Sequence, residues 1–151
     1  MKYRRNVGLG ESFAAQMVEF VRALGWPVEI LIPVPVGRER LKDRGYNQVG
    51  LVAQPLAYHM RWQYEPQALW KTRETRSQVG LNVSQRRENV QQAYQADPKT
   101  VNKKSVLIMD DVATTGSTIV ACTEALLVVG AREVYVLTIA RALSHHSLDR
   151  V

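Results

Sequence analysis

The chain has 151 residues, of which 46% are hydrophobic and 23% charged, and its formal net charge is +6. These values describe an ordinary folded domain and exclude a disordered or fibrous chain. A single cysteine, Cys122, rules out an intramolecular disulfide and any zinc site built on several cysteines. No apolar run approaches the roughly 20 residues that cross a bilayer. One domain over residues 1–151 and a cytoplasmic location are therefore the expectations. The excess of positive charge points to a phosphate-bearing partner, either a nucleic acid or a small anion.

Residues 11–24 carry Phe13, Met17, Val18, Val21 and Leu24 at helical spacing, and Gly25 ends the pattern. The apolar run Val28 to Ile32 reads as a strand that runs into the rigid turn Pro33-Val34-Pro35. A polar loop is expected from Gly37 to Gly45. Asn47 can cap a following helix whose Val49, Val52, Leu56 and Met60 share one face, with Pro55 as an interruption. Residues 64–104 are less regular. A short strand fits Ala68 to Trp70, a short helix capped by Ser84 fits the stretch to Val90, and an extended piece fits Tyr94. Ser105 to Asp110 is continuously apolar up to its last residue, as buried parallel strands are. Ile119, Cys122, Leu126 and Val129 line one face of a helix that Gly130 terminates, and Glu133 to Ala140 is a further strand. Strands alternating with helices predict an α/β domain with a mainly parallel central sheet.

The chemistry concentrates where the strand of residues 105–110 ends. Asp110 and Asp111 fall at its carboxyl end, where open α/β sheets bind ligands. The turn Thr114-Thr115-Gly116-Ser117-Thr118 then leads into a helix, whose first amides and dipole favour a phosphate. Gly116 allows close approach of the backbone, while the four hydroxyls add donors. The two carboxylates suit a diol or a hydrated metal ion. A capped helix after a buried strand would explain one hydroxyl, but not two acids and four hydroxyls around a glycine. An anion cradle beside a hydroxyl-and-metal clamp describes a site for a sugar phosphate. Neither a Walker loop nor a dinucleotide fingerprint is present around this strand.

The segment Val106 to Thr118 resembles the 5-phosphoribosyl-1-pyrophosphate (PRPP) signature of type I phosphoribosyltransferases. Ile32-Pro33-Val34-Pro35, Arg40 to Gln48, Thr72, Gln78 to Leu81, Arg86 to Val90 and Val136 to Arg141 are similar, in order, to the ComF family of competence-associated phosphoribosyltransferase-like proteins. Many members of that family also carry a four-cysteine zinc module, which this chain lacks. The resemblance implies a type I phosphoribosyltransferase-like fold. It places Asp110 and Asp111 on the ribose hydroxyls, directly or through Mg²⁺, as the catalytic and metal-binding pair. It places Val112, Ala113, Thr114, Thr115, Gly116, Ser117 and Thr118 around the PRPP 5′-phosphate. Val34, Pro35, Val36 and Gly37 would form the pyrophosphate loop, with Arg38 and Arg40 beside it, although a solvated basic loop explains those arginines equally well. Residues 71–87 would be a closing loop, or a plain surface loop. Two activities are implied by the resemblance: phosphoribosyl transfer to an unidentified acceptor, and binding of single-stranded DNA during DNA uptake at the same phosphate site. A homodimer is the assembly such enzymes most often form. The histidines His59, His145 and His146 have no ligand spacing and receive no role.

Overall fold

A computed structural model describes residues 2–72, 82, 84, 85, 93–113 and 116–141 of the chain. The elements, in chain order, are α1 (Lys2–Ala23), β1 (Ile30–Pro33), α2 (Arg38–Arg44), α3 (Gly50–Met60), β2 (Gln63–Tyr64), β3 (Leu69–Lys71), β4 (Tyr94–Ala96), α4 (Pro98–Val101), β5 (Ser105–Ala113), α5 (Ser117–Val128) and β6 (Glu133–Arg141). Four strands form a parallel sheet in the order β2-β1-β5-β6, and β3 pairs with β4 in a separate antiparallel ribbon.

The apolar runs of β1 and β5 are continuous because both faces of the sheet are covered. Ile30, Ile32, Val106 and Ile108 point to one core, which they share with Ala121, Cys122 and Leu126 of α5 and with the β3–β4 ribbon. The alternate residues Leu31, Leu107 and Met109 point to a second core with Ala14, Val18 and Val21 of α1 and Val52, Ala53 and Leu56 of α3. The period-2 pleat sorts a uniformly apolar strand into two packed layers.

Three sequence expectations are corrected. The first helix begins at Lys2 rather than at residue 11. Glycines at 8 and 10 weaken a helical pattern, yet α1 needs Gly10 where it crosses α3, because a Cβ there would collide with the Leu51 carbonyl. That carbonyl is open to the crossing because Pro55, inside α3, has no N–H to give it. The helix α3 continues through Pro55 without a break. Finally, Arg38–Arg44 is a helix and not a polar loop. It buries no side chain and is held by helix-favouring residues between Gly37 and a left-handed Gly45 (φ 75°), whose N–H bonds the Leu41 carbonyl. The expected helix from Ser84 to Val90 lies largely outside the described residues.

No helix among the described residues is long and apolar enough to cross a membrane.

Candidate phosphate-binding cleft

The sheet places its crevice by its own connectivity. From β1 the chain goes outward to β2 by way of α3 on one face, and from β5 it goes outward to β6 by way of α5 on the other. The two strands are neighbours whose successors diverge, and this topological switch point leaves a gap at their carboxyl ends. The last pair between them is Pro33 with Met109. β1 then turns away, while β5 runs on to Ala113 with only β6 beside it. Asp110 and Asp111 are the first residues of β5 past that departure.

The gap is a cleft of about 740 Å³. One wall is the turn Val34–Gly37, with Glu39, Arg40 and Arg44 of α2. Asn47, Gln48 and Val49 close the side leading to α3, while Lys71 of β3 and Tyr94 of β4 enter from the ribbon. The floor carries Asp110, Asp111 and, from the first turn of α5, Thr118. Two parts of the chain far apart in sequence, the Val34–Gly37 turn and the residues Asp110, Asp111 and Thr118, thus line one space.

Asp110 is half-buried, and its Oδ1 accepts the Asp111 N–H at 2.9 Å. Burial pushes its carboxyl above the ordinary aspartate range. The Asp111 N–H works the other way, and the neighbouring Asp111 charge adds to the rise. A cation beside this pair would relieve both effects. Among the described residues no group of three or more ligating side chains forms a self-sufficient metal centre. Mg²⁺ suits a site of this kind, because it takes one or two carboxylates and completes its shell with water and ligand phosphate. Asp110 and Asp111 are the residues that could hold such an ion. Cys122 sits under the cleft with its thiol pushed up to about 12, by burial first and then by the Asp110 charge. Such a thiol stays protonated and is no nucleophile.

The helix α5 opens at Gly116, which is left-handed (φ 77°, ψ 0°) and accepts the first intrahelical bond from Val120 N–H at 2.9 Å. The first turn of a helix presents amides that lack intrahelical acceptors. Ser117 is exposed and Thr118 lines the cleft. Val112 and Ala113 complete β5, while Thr114 and Thr115 lie outside the described residues. The proposed closing loop, residues 71–87, is likewise described only at Lys71, Thr72, Asn82, Ser84 and Gln85.

Of the two arginines selected from sequence, Arg40 lines the cleft and Arg38 is not among its lining residues. Arg44 lines it instead, one turn after Arg40, and its guanidinium donates to Gln48 Oε1 at 3.0 Å. The helical α2 explains the exchange, since residues four apart share a face and residue 38 does not share it with both. Asn47, read as a helix cap and as part of the Arg40 to Gln48 match, and Tyr94 were missed as cleft residues, while Lys71 opens the stretch expected to close over the site. The 40–44 spacing was a usable signal for Arg44, but nothing local in the sequence places Asn47 or Tyr94 in the cleft.

Residues 50–150 match the family model described as a phosphoribosyl transferase domain. The chain belongs to that family.

Among curated relatives, DNA utilization protein YhgH of Escherichia coli O157:H7 is 36% identical over 113 residues, covering 75% of this chain and 49% of the relative. YhgH of Salmonella typhimurium is 34% identical over 148 residues, covering 95% and 65%. Competence protein F of Haemophilus influenzae is 34% identical over 119 residues, covering 76% and 51%. These names bear out the resemblance to the ComF family. The chain spans about half the length of most of these curated relatives. Among solved structures, the glutamine PRPP amidotransferase from B. subtilis, complexed with ADP and GMP, superposes with a TM-score of 0.60 at 21% identity, over 93% of this chain and 27% of that one. Adenine phosphoribosyltransferase from Thermoanaerobacter pseudethanolicus gives 0.54 at 14% identity, over 90% and 80%. At these identities the likeness establishes the type I phosphoribosyltransferase fold.

Proposed function

We propose that the cleft binds PRPP with Mg²⁺ and that the chain transfers the phosphoribosyl group to an acceptor. The observation that carries this reading is the paired acids at the end of β5, joined to the glycine-opened helix α5 and facing the Val34–Gly37 turn across one cleft, in a member of the phosphoribosyl transferase family. Asp110 and Asp111 hold the ribose hydroxyls, and the segment from Val112 to Thr118 takes the 5′-phosphate. The Val34–Gly37 turn receives the pyrophosphate, with Arg40 and Arg44 neutralising it. Mg²⁺, when bound, supplies further neutralisation of the leaving pyrophosphate.

Transfer breaks the bond between the anomeric carbon and pyrophosphate and forms one to the acceptor, whose proton is released. The side chains hold the sugar in line and stabilise charge on the departing group. No nucleophilic side chain is needed, in keeping with the inert Cys122. Titration calorimetry tests the reading. Wild type should bind PRPP with Mg²⁺, and the Asp110→Asn/Asp111→Asn double variant should bind at least about 10- to 100-fold more weakly, as expected for lost charge-assisted hydrogen bonds. No heat from folded wild type would reject it.

A second reading is favoured by the convergence of Arg40, Arg44 and Lys71 on the cleft and by relatives named for DNA utilization and competence. Here the cleft grips the phosphates of single-stranded DNA during DNA uptake, without turnover. Binding would weaken steeply with salt, PRPP would compete, and the double aspartate variant would retain DNA affinity. An affinity insensitive to salt would eliminate it.

A further inference from the structure

We infer that Asn47 is a positioning residue that sets the shape of the Val34–Gly37 turn for the pyrophosphate end of the ligand, an inference that rests on the PRPP reading above. Its carboxamide makes two partly buried bonds to separate pieces of backbone. Nδ2 donates to the Val34 carbonyl at 3.0 Å, thirteen residues away, and Oδ1 accepts the Val49 N–H at 3.1 Å, just before α3. The Val34 N–H is already fixed to the Met109 carbonyl of β5 at 2.8 Å. Val34, the first residue beyond β1, is therefore held through its N–H by the sheet and through its C=O by Asn47, which fixes the peptide units on both sides of it.

That grip directs the remainder of the turn. Pro35 has no N–H and a fixed φ, and the Val34 N–H is spent on β5, so Val36 and Gly37 supply the turn's amides that can meet an anion. Their direction depends on where the Val34 carbonyl is held. Asn47 also lines the cleft, but both ends of its amide are engaged by backbone and it carries no charge. Its contribution is direction of the turn, while Arg40 and Arg44 contribute charge.

The test compares wild type, Asn47→Ser and Asn47→Ala in titrations with inorganic pyrophosphate and with ribose 5-phosphate, each with Mg²⁺, beside thermal unfolding. Serine keeps an oxygen that can accept the Val49 N–H but is too short to reach the Val34 carbonyl. Asn47→Ser should bind pyrophosphate about tenfold more weakly, hold ribose 5-phosphate within about twofold, and unfold close to wild type. Asn47→Ala should show the same selective loss and a lower melting temperature. Unchanged pyrophosphate affinity in Asn47→Ser, with wild type binding both ligands, would overturn the inference and leave the PRPP reading standing. Parallel loss of both ligands would also overturn it, by assigning Asn47 a general structural role. Wild type that binds neither ligand would sink the PRPP reading and this inference with it.

Discussion

Asp110 lies at the point where the needs of the fold and those of the site conflict. Its carboxyl is half-buried beside Asp111, and burial raises its pKa above the ordinary value of 3.8. A raised folded-state pKa means that the native state holds its proton more tightly than the unfolded chain. The protein therefore loses stability as pH rises from about the unfolded value through the folded one. Asp110→Asn removes that loss and keeps an oxygen for the Asp111 N–H. The variant should melt at a higher temperature than wild type near neutral pH, with the gap closing toward about pH 4. Calorimetric unfolding across that range measures it, and a gap independent of pH would contradict the burial argument. On the PRPP reading the same variant should also lose PRPP affinity, because it removes one carboxylate of the pair proposed to hold the cation and the diol.

At the scale of elements, legibility tracked the strength of local patterns. β5, α5 and β6 were readable because a continuous apolar run, a helical stripe and terminating glycines agree on one answer. The helix α2 was not, since it buries no side chain and so leaves no apolar stripe to read. The two-residue strand β2 has no periodicity at all and exists because β1 offers it an edge. The first turns of α1 were hidden by Gly8 and Gly10, which intrinsic propensity penalises, although the helix crossing requires Gly10. Gly10→Ala tests that account, because the added methyl meets the Leu51 carbonyl, which is backbone and cannot swing away. Denaturant unfolding should show a loss of about 1–3 kcal/mol with PRPP affinity retained in the remaining folded protein. At Gly116 surrounding space is open but φ is positive, so Gly116→Ala strains the backbone of the cradle itself. Its binding defect should exceed its stability defect.

Across the whole molecule, the two ends of the sheet do different work. At the amino end, Glu29 accepts the Ser105 N–H at 3.0 Å and pairs with Lys104 at 3.2 Å and Arg132 at 3.0 Å, while Arg132 also bonds the buried Ser105 hydroxyl. The Ser105 N–H, then Lys104 and Arg132, hold the Glu29 carboxyl below its usual range. That stabilisation is present above the unfolded value of 4.5 and fades as pH falls through the lowered one. Glu29→Gln should lower the melting temperature at neutral pH and leave ligand affinity unchanged, because this network lies at the opposite end of the strands from the cleft. At the carboxyl end, the divergence of β1 and β5 opens the space that Asp110, Asp111 and Thr118 face. Asp110, Asp111 and Thr118 could be singled out in the sequence because they belong to one contiguous motif. Asn47 and Tyr94 could not, because the switch point assembles them from segments with no shared local pattern.

The most direct measurement tracks backbone amide shifts of isotope-labelled protein during titration with PRPP and Mg²⁺. Saturable shifts should appear together at Val36 and Gly37, at Asp110 and Asp111, and at Gly116 to Thr118. Shifts absent from these segments, or confined to α1 and α3, would contradict the assignment of the cleft.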